Sequence, residues 1–167
     1  MGRIAELKEM IGQRRLGFRV AEEMVGTHQF EPGCGPQGRL PMRFLVSWGA
    51  SHVGQFVNPF SGRAGVAELE GVVTVAGLCT DAPCRGSLEL RYVTEQSIRY
   101  AFELEAQGTL YRYVGQKVNI WPWNLPVSHT TCFGTLVEAE TGRLVSRSVT
   151  HFPLLSTARF MASFRLA

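Results

Sequence analysis

A chain of 167 residues fits one domain and leaves little room for a second hydrophobic core. Apolar residues make up 45% and charged residues 19%, which excludes a disordered or collagen-like chain. The 17 Lys+Arg against 14 Asp+Glu leave only +3, and the basic clusters are short (Gln13-Arg14-Arg15, and the spaced Arg143, Arg147, Arg159 and Arg165), so no nucleic-acid partner is expected.

The first segment sets Ile4, Leu7, Met10 and Ile11 at helical spacing among Arg3, Glu6, Lys8 and Glu9. This predicts a short amphipathic N-terminal helix over 1–14, its apolar pattern ending near Gly12. Charge in this segment does not suit a signal peptide, and no run approaches the ~20 apolar residues of a membrane span. A cytoplasmic protein with no membrane span is expected, and its Cys34, Cys79, Cys84 and Cys132 would then be reduced thiols.

After Gly17 the period becomes two. Leu40, Met42, Phe44, Val46 and Trp48 alternate with Pro41, Arg43, Leu45, Ser47 and Gly49, and the same holds for Ile98, Tyr100, Phe102 and Leu104. Such alternation marks strands with one buried and one wet face. Strands are expected over 18–30, 40–49, 66–79, 86–95, 97–106, 109–119, 130–139, 143–152 and 158–166. Turn signals separate them, among them Glu31-Pro-Gly-Cys-Gly-Pro-Gln-Gly38, Ala106-Gln-Gly108 and Glu140-Thr-Gly142. Cys79 and Cys84 bracket Thr-Asp-Ala-Pro and read as a hairpin loop with two incidental thiols, a disulfide or a metal or redox pair being the alternatives. Long consecutive strands in up-and-down order leave two exposed edges unless the sheet closes. The expected fold is therefore mainly β: one domain, an antiparallel up-and-down barrel, lipocalin-like, of roughly eight to ten strands.

Chemistry has few places to sit. Trp121 and Trp123 straddle Pro122 in a stiff segment that ends near His129, suited either to plug a barrel end or to wall a cavity. His129, among Ser128, Thr130 and Thr131, is an acid–base candidate or a hydrogen-bonded structural histidine. Lys117 shares a strand face with Tyr111 and Tyr113. If that face points inward, the lysine must be paired, and it becomes an anchor for a carboxylate or carbonyl ligand or a Schiff-base lysine. If it points outward, Lys117 is solvated. Periodicity does not decide. Glu22 shares a face with Met24, Gly26 and His28, and is either a base near a histidine or part of an exposed face. G-x-S-x-G, P-loop, G-x-G-x-x-G and H-E-x-x-H motifs do not occur, and no metal or cofactor is expected.

Several short segments carry a resemblance. They are Glu22-x-Met24-x-Gly26, Ile98-Arg-Tyr-Ala-Phe-Glu-Leu104, Tyr111-Arg-Tyr-Val-Gly-Gln-Lys117, and Trp123 shortly before Thr130-Thr131. From about Val20 to Phe152 the chain resembles the C-terminal β-rich domain of some bacterial cholesterol-oxidase-like members of the glucose-methanol-choline oxidoreductases. His129 stands where that pattern has an Asp, and Cys132 where it has a third threonine. The flavin domain is absent, so oxidase activity does not carry over. The resemblance implies a lipocalin-like barrel working beside, or instead of, an oxidoreductase or other biosynthetic enzyme that handles sterol-like or fatty molecules.

The leading expectation is a binding module for an apolar small molecule of lipid, sterol or polyketide type. Trp48, Tyr92, Tyr100, Phe102, Trp121 and Trp123 would line its cavity, and Lys117 or His129 would supply polar anchoring. The alternative is a small β-barrel isomerase or cyclase using His129, Glu22 or Tyr111 as acid–base groups. A third possibility is a partner domain whose barrel is filled by its own side chains.

Overall fold

The computed structural model describes residues 16–91, 95–118, 131–153 and 165–166. Alternating side chains commit each segment to a strand with one face inward. The elements run β1 (Phe18–Phe30), β2 (Leu40–Ala50), α1 (Val53–Val57), β3 (Val66–Val75), β4 (Cys79–Arg91), β5 (Ser97–Ala106), β6 (Thr109–Lys117), β7 (Thr131–Glu138), β8 (Leu144–His151) and β9 (Arg165–Leu166). Every pairing is antiparallel and each strand from β2 to β8 pairs with the next. β1 then pairs with both β2 and β8, which closes an eight-stranded barrel. Closure removes the two edges that a meander of this length would otherwise expose.

Along its β2 edge β1 is laddered from Phe18 to His28. Its other edge meets β8 only from Val25 to Phe30, and β9 only at Phe18 and Arg19. Val20 to Met24 therefore have no ladder partner on that side among the described residues.

The wet face carries cross-strand ion pairs such as Arg112–Glu103 at 2.9 Å and Arg99–Glu89 at 3.3 Å. Inward residues fill the middle of the barrel. Phe44 packs against Tyr100, Phe102 and Tyr113 with ring centroids 5.6–5.8 Å apart, and Phe102 stacks on Tyr113 at 4.7 Å. Eight strands enclose just enough room for such rings. Tyr113 needs small neighbours: a Cβ on Gly115 would lie 2.7 Å from Cys132 Sγ and 2.8 Å from the Tyr113 ring, and one on Gly134 would collide with Tyr113.

The two ends differ. One is closed by short connections: residues 31–39, 76–78, 107–108 and 139–143. Gln107 and Gly108 both have positive φ (51° and 77°), the geometry of a two-residue hairpin turn. At the opposite end, here called the mouth, lie α1 and the strand ends Arg91, Ser97, Lys117, Thr131 and His151.

Three expectations change. The strand expected over 66–79 stops at Val75, and the chain turns at Ala76-Gly77-Leu78, where Gly77 has φ +86° and Leu78 N–H donates to the Val75 carbonyl at 2.9 Å. β4 then starts at Cys79 rather than 86, so Cys79–Cys84 is strand and not a hairpin loop. A register shift between Val73 and Val75 and a positive φ at Asp81 (47°) make room for this, and Pro83, which has no N–H, sits beside that irregularity. All four cysteines are free thiols, Cys79 and Cys84 included. The single described helix lies mid-chain at Val53–Val57; the N-terminal helix expected over 1–14 lies outside the described residues. Among the described residues no helix is long and apolar enough to cross a membrane.

Candidate functional site

The strand parity that buries Met24 also turns Glu22 inward from β1, and the parity that buries Tyr111 and Tyr113 turns Lys117 inward from the end of β6. The two meet across the barrel. Lys117 Nζ donates to Glu22 Oε1 at 2.7 Å, with side-chain exposures of 3% and 6%. Tyr100, on β5, donates its hydroxyl between the two carboxylate oxygens, 2.9 and 3.0 Å away. Trp48, on β2, donates its indole N–H to Oε2 at 3.2 Å. Lys117 Nζ also stands 5.2 Å from the centre of the Tyr100 ring and 6.0 Å from that of Phe152. The inward reading of Lys117 is thus the one the fold adopts, and the required partner is the carboxylate suspected separately on β1.

Carbon surrounds this cluster. Phe18 meets Trp48 edge-on at 5.9 Å and Phe56 of α1 at 5.0 Å, and Ile98 is the cross-strand neighbour of Lys117. Burial first, and the Glu22 carboxylate second, hold the Tyr100 phenol well above its usual range, so it acts as a hydrogen-bond donor. Toward the middle of the barrel, Tyr113 Oη lies 3.3 Å from Ser148 Oγ and 3.9 Å from Cys132 Sγ. Burial pushes the Cys132 thiol up to about 11 against the pull of Lys117. It is a neutral thiol at ordinary pH and no nucleophile. Thr150 Oγ1, buried beside these groups, has no hydrogen-bond partner of normal geometry among the described residues.

The other expected residues are distributed as follows. Phe102 belongs to the packed middle. Tyr111 pairs with Leu104 and Glu138 near the closed end. It lies six residues along β6 from Lys117, about 20 Å of strand, and so does not share a reacting atom with Glu22. Tyr92, Trp121, Trp123 and His129 lie outside the described residues. His28 faces inward near the closed end, with Nδ1 2.8 Å from Ser146 Oγ and Nε2 2.9 Å from the Ala76 carbonyl. The carbonyl can only accept, so Nε2 carries the proton and Nδ1 accepts from the serine. Burial lowers the affinity of this ring for a second proton.

Sequence reasoning missed two contributors: the indole N–H of Trp48 as a carboxylate donor, and Phe152 as a ring beside the ammonium. Trp48 already stood on the inward face of its strand; its hydrogen bond depends on Glu22 of the neighbouring strand. Among the described residues no group of three or more His, Cys, Asp or Glu is placed to hold a metal. A hollow of about 840 Å³ lies on the outer wall, among Thr27, Gln29, Gln116, Phe133 and Val149, and shares no residue with the Glu22 cluster.

These observations define a class: a closed eight-stranded antiparallel β-barrel, a shape able to hold a ligand, with a buried charged cluster inside one mouth. Comparison with protein-family models, with curated proteins and with solved structures finds no match.

Proposed function

We propose that the protein is a binding module for an apolar small molecule of lipid, sterol or polyketide type, seated at the barrel mouth against Glu22, Lys117, Tyr100 and Trp48. The observation that carries this reading is the buried ion pair of Glu22 and Lys117. A buried pair of this kind adds little net stability, and apolar residues of equal volume often do as well or better. The same barrel fills its middle with Phe44, Phe102 and Tyr113 and could have filled its mouth likewise. Apolar walls with a few convergent polar groups are what a small-molecule site requires. The packed middle limits the ligand to the mouth layer. The resemblance to barrel domains of glucose-methanol-choline oxidoreductases fits such a role beside an enzyme of sterol-like or fatty substrates. An isomerase or cyclase is less well supported, because Glu22 already accepts hydrogen bonds from three side chains, Lys117, Tyr100 and Trp48.

The test is fluorescence titration of the full chain with a sterol, a long-chain alcohol and a polycyclic ketone, together with thermal melting. A saturable change in tryptophan emission and a Tm that rises with ligand concentration are expected. Absence of both across the panel would remove the binding function.

A further inference from the structure

Resting on that reading, the geometry points to the chemical class of the ligand's polar group: we infer that it is an uncharged hydrogen-bond acceptor, a carbonyl or a hydroxyl oxygen, received by the Lys117 ammonium. Two counts lead there.

The first is of hydrogen bonds. A carboxylate offers about four lone-pair sites. Three hydrogens reach Glu22: one from Lys117 at Oε1, one from Trp48 at Oε2, and the single Tyr100 hydroxyl hydrogen shared between the two oxygens. At most one site of the carboxylate stays open. An ammonium has three N–H donors, and among the described residues Lys117 gives one hydrogen bond, to Glu22; its other neighbours there are the faces of Tyr100 and Phe152. The cluster therefore offers more donors than acceptors. Lys117 is also the last residue of β6, at the mouth end of the strand, with its side chain buried.

The second count is of charge. Glu22 and Lys117 balance each other at 2.7 Å. The nearby Tyr100, Tyr113 and Cys132 are neutral. A carboxylate ligand would leave one uncompensated negative charge among Phe18, Trp48, Ile98 and Phe152, and an amine would leave a positive one; both are strongly unfavourable in such surroundings. A neutral oxygen meets the donors and preserves the balance. An ammonium engaged in an ion pair has no lone pair to give a carbonyl carbon, so the same geometry makes Lys117 an anchor rather than a Schiff-base lysine.

The experiment compares four ligands with one carbon chain on the full-length protein: myristyl alcohol, methyl myristate, myristate and myristylamine. The alcohol and ester should bind at least about tenfold more tightly than myristate or the amine, the factor expected for one charge-assisted hydrogen bond. Glu22→Gln, which removes the negative partner, should reverse the order so that myristate binds best. Myristate equal to or tighter than the alcohol in the unaltered protein overturns the inference and leaves the binding function standing. Failure of all four ligands, with failure of the sterol and ketone, overturns both. If Glu22→Gln does not fold, the order in the unaltered protein decides alone.

Discussion

The closed end and the mouth of this barrel each bury polar side chains from the same strand, β1, and treat them in opposite ways. At the closed end His28 is neutral, and both ring nitrogens are engaged by neutral partners, Ser146 and the Ala76 carbonyl, next to the edge of Phe30 at 4.8 Å. At the mouth Glu22 and Lys117 are charged, and the donors and acceptors do not cancel. The first arrangement is complete in itself, as a structural network must be to avoid the penalty for unsatisfied groups. The second balances charge but not hydrogen bonds, and the proposed binding role rests on that difference.

The largest expected effect tests the mouth. Lys117→Met alone strands the Glu22 carboxylate in carbon and should destabilise the fold by about 3–5 kcal/mol in urea denaturation. Glu22→Leu combined with Lys117→Met should recover most of that loss, since the pair can be replaced by apolar volume. A double variant as unstable as the single one would mean that the pair holds the barrel together and is not reserved for a ligand. A smaller effect tests the closed end. Ser146→Ala removes the donor to His28 Nδ1 and should cost about 1–3 kcal/mol by the same measurement, without changing ligand affinity. A change in affinity would join two ends that the structure keeps apart.

The smallest effect is pH dependence. Burial places the folded-state pKa of His28 below its unfolded value of about 6.5. The unfolded chain therefore takes up the proton first. The contribution of the neutral ring is present in full above that pH and is lost as pH falls through the lowered folded value. Melting temperature followed from pH 7 toward about pH 5 should decline less steeply in His28→Gln than in the unaltered protein. Parallel declines would show that His28 is not the group responsible.

Most of the architecture was legible because period-two alternation is a local signal, and turns such as Gln107-Gly108 announce themselves. The failures have physical causes. Asp81-Ala82-Pro83 carries the residues of a turn, yet the bulge opposite it absorbs them into β4. Helix α1 spans five residues, too few for helical periodicity to register, and its N-cap residue His52 makes no side-chain capping bond. The site was half legible. Lys117 and Glu22 each stood out as residues needing a partner if turned inward, but the faces around Lys117 are mixed, and the two are separated by 95 positions. No local pattern encodes a contact across a barrel interior; strand number and closure do.

Strand β1 carries Glu22 and His28 six positions apart on the same face, one near each end of the molecule. Side chains alternate along a strand, so a slip of a single step would expel both into solvent and turn Glu23 and Thr27 toward the interior. The polar groups thus index the one strand on which closure of the cylinder depends, and every miscounted alignment forfeits two sets of bonds at once.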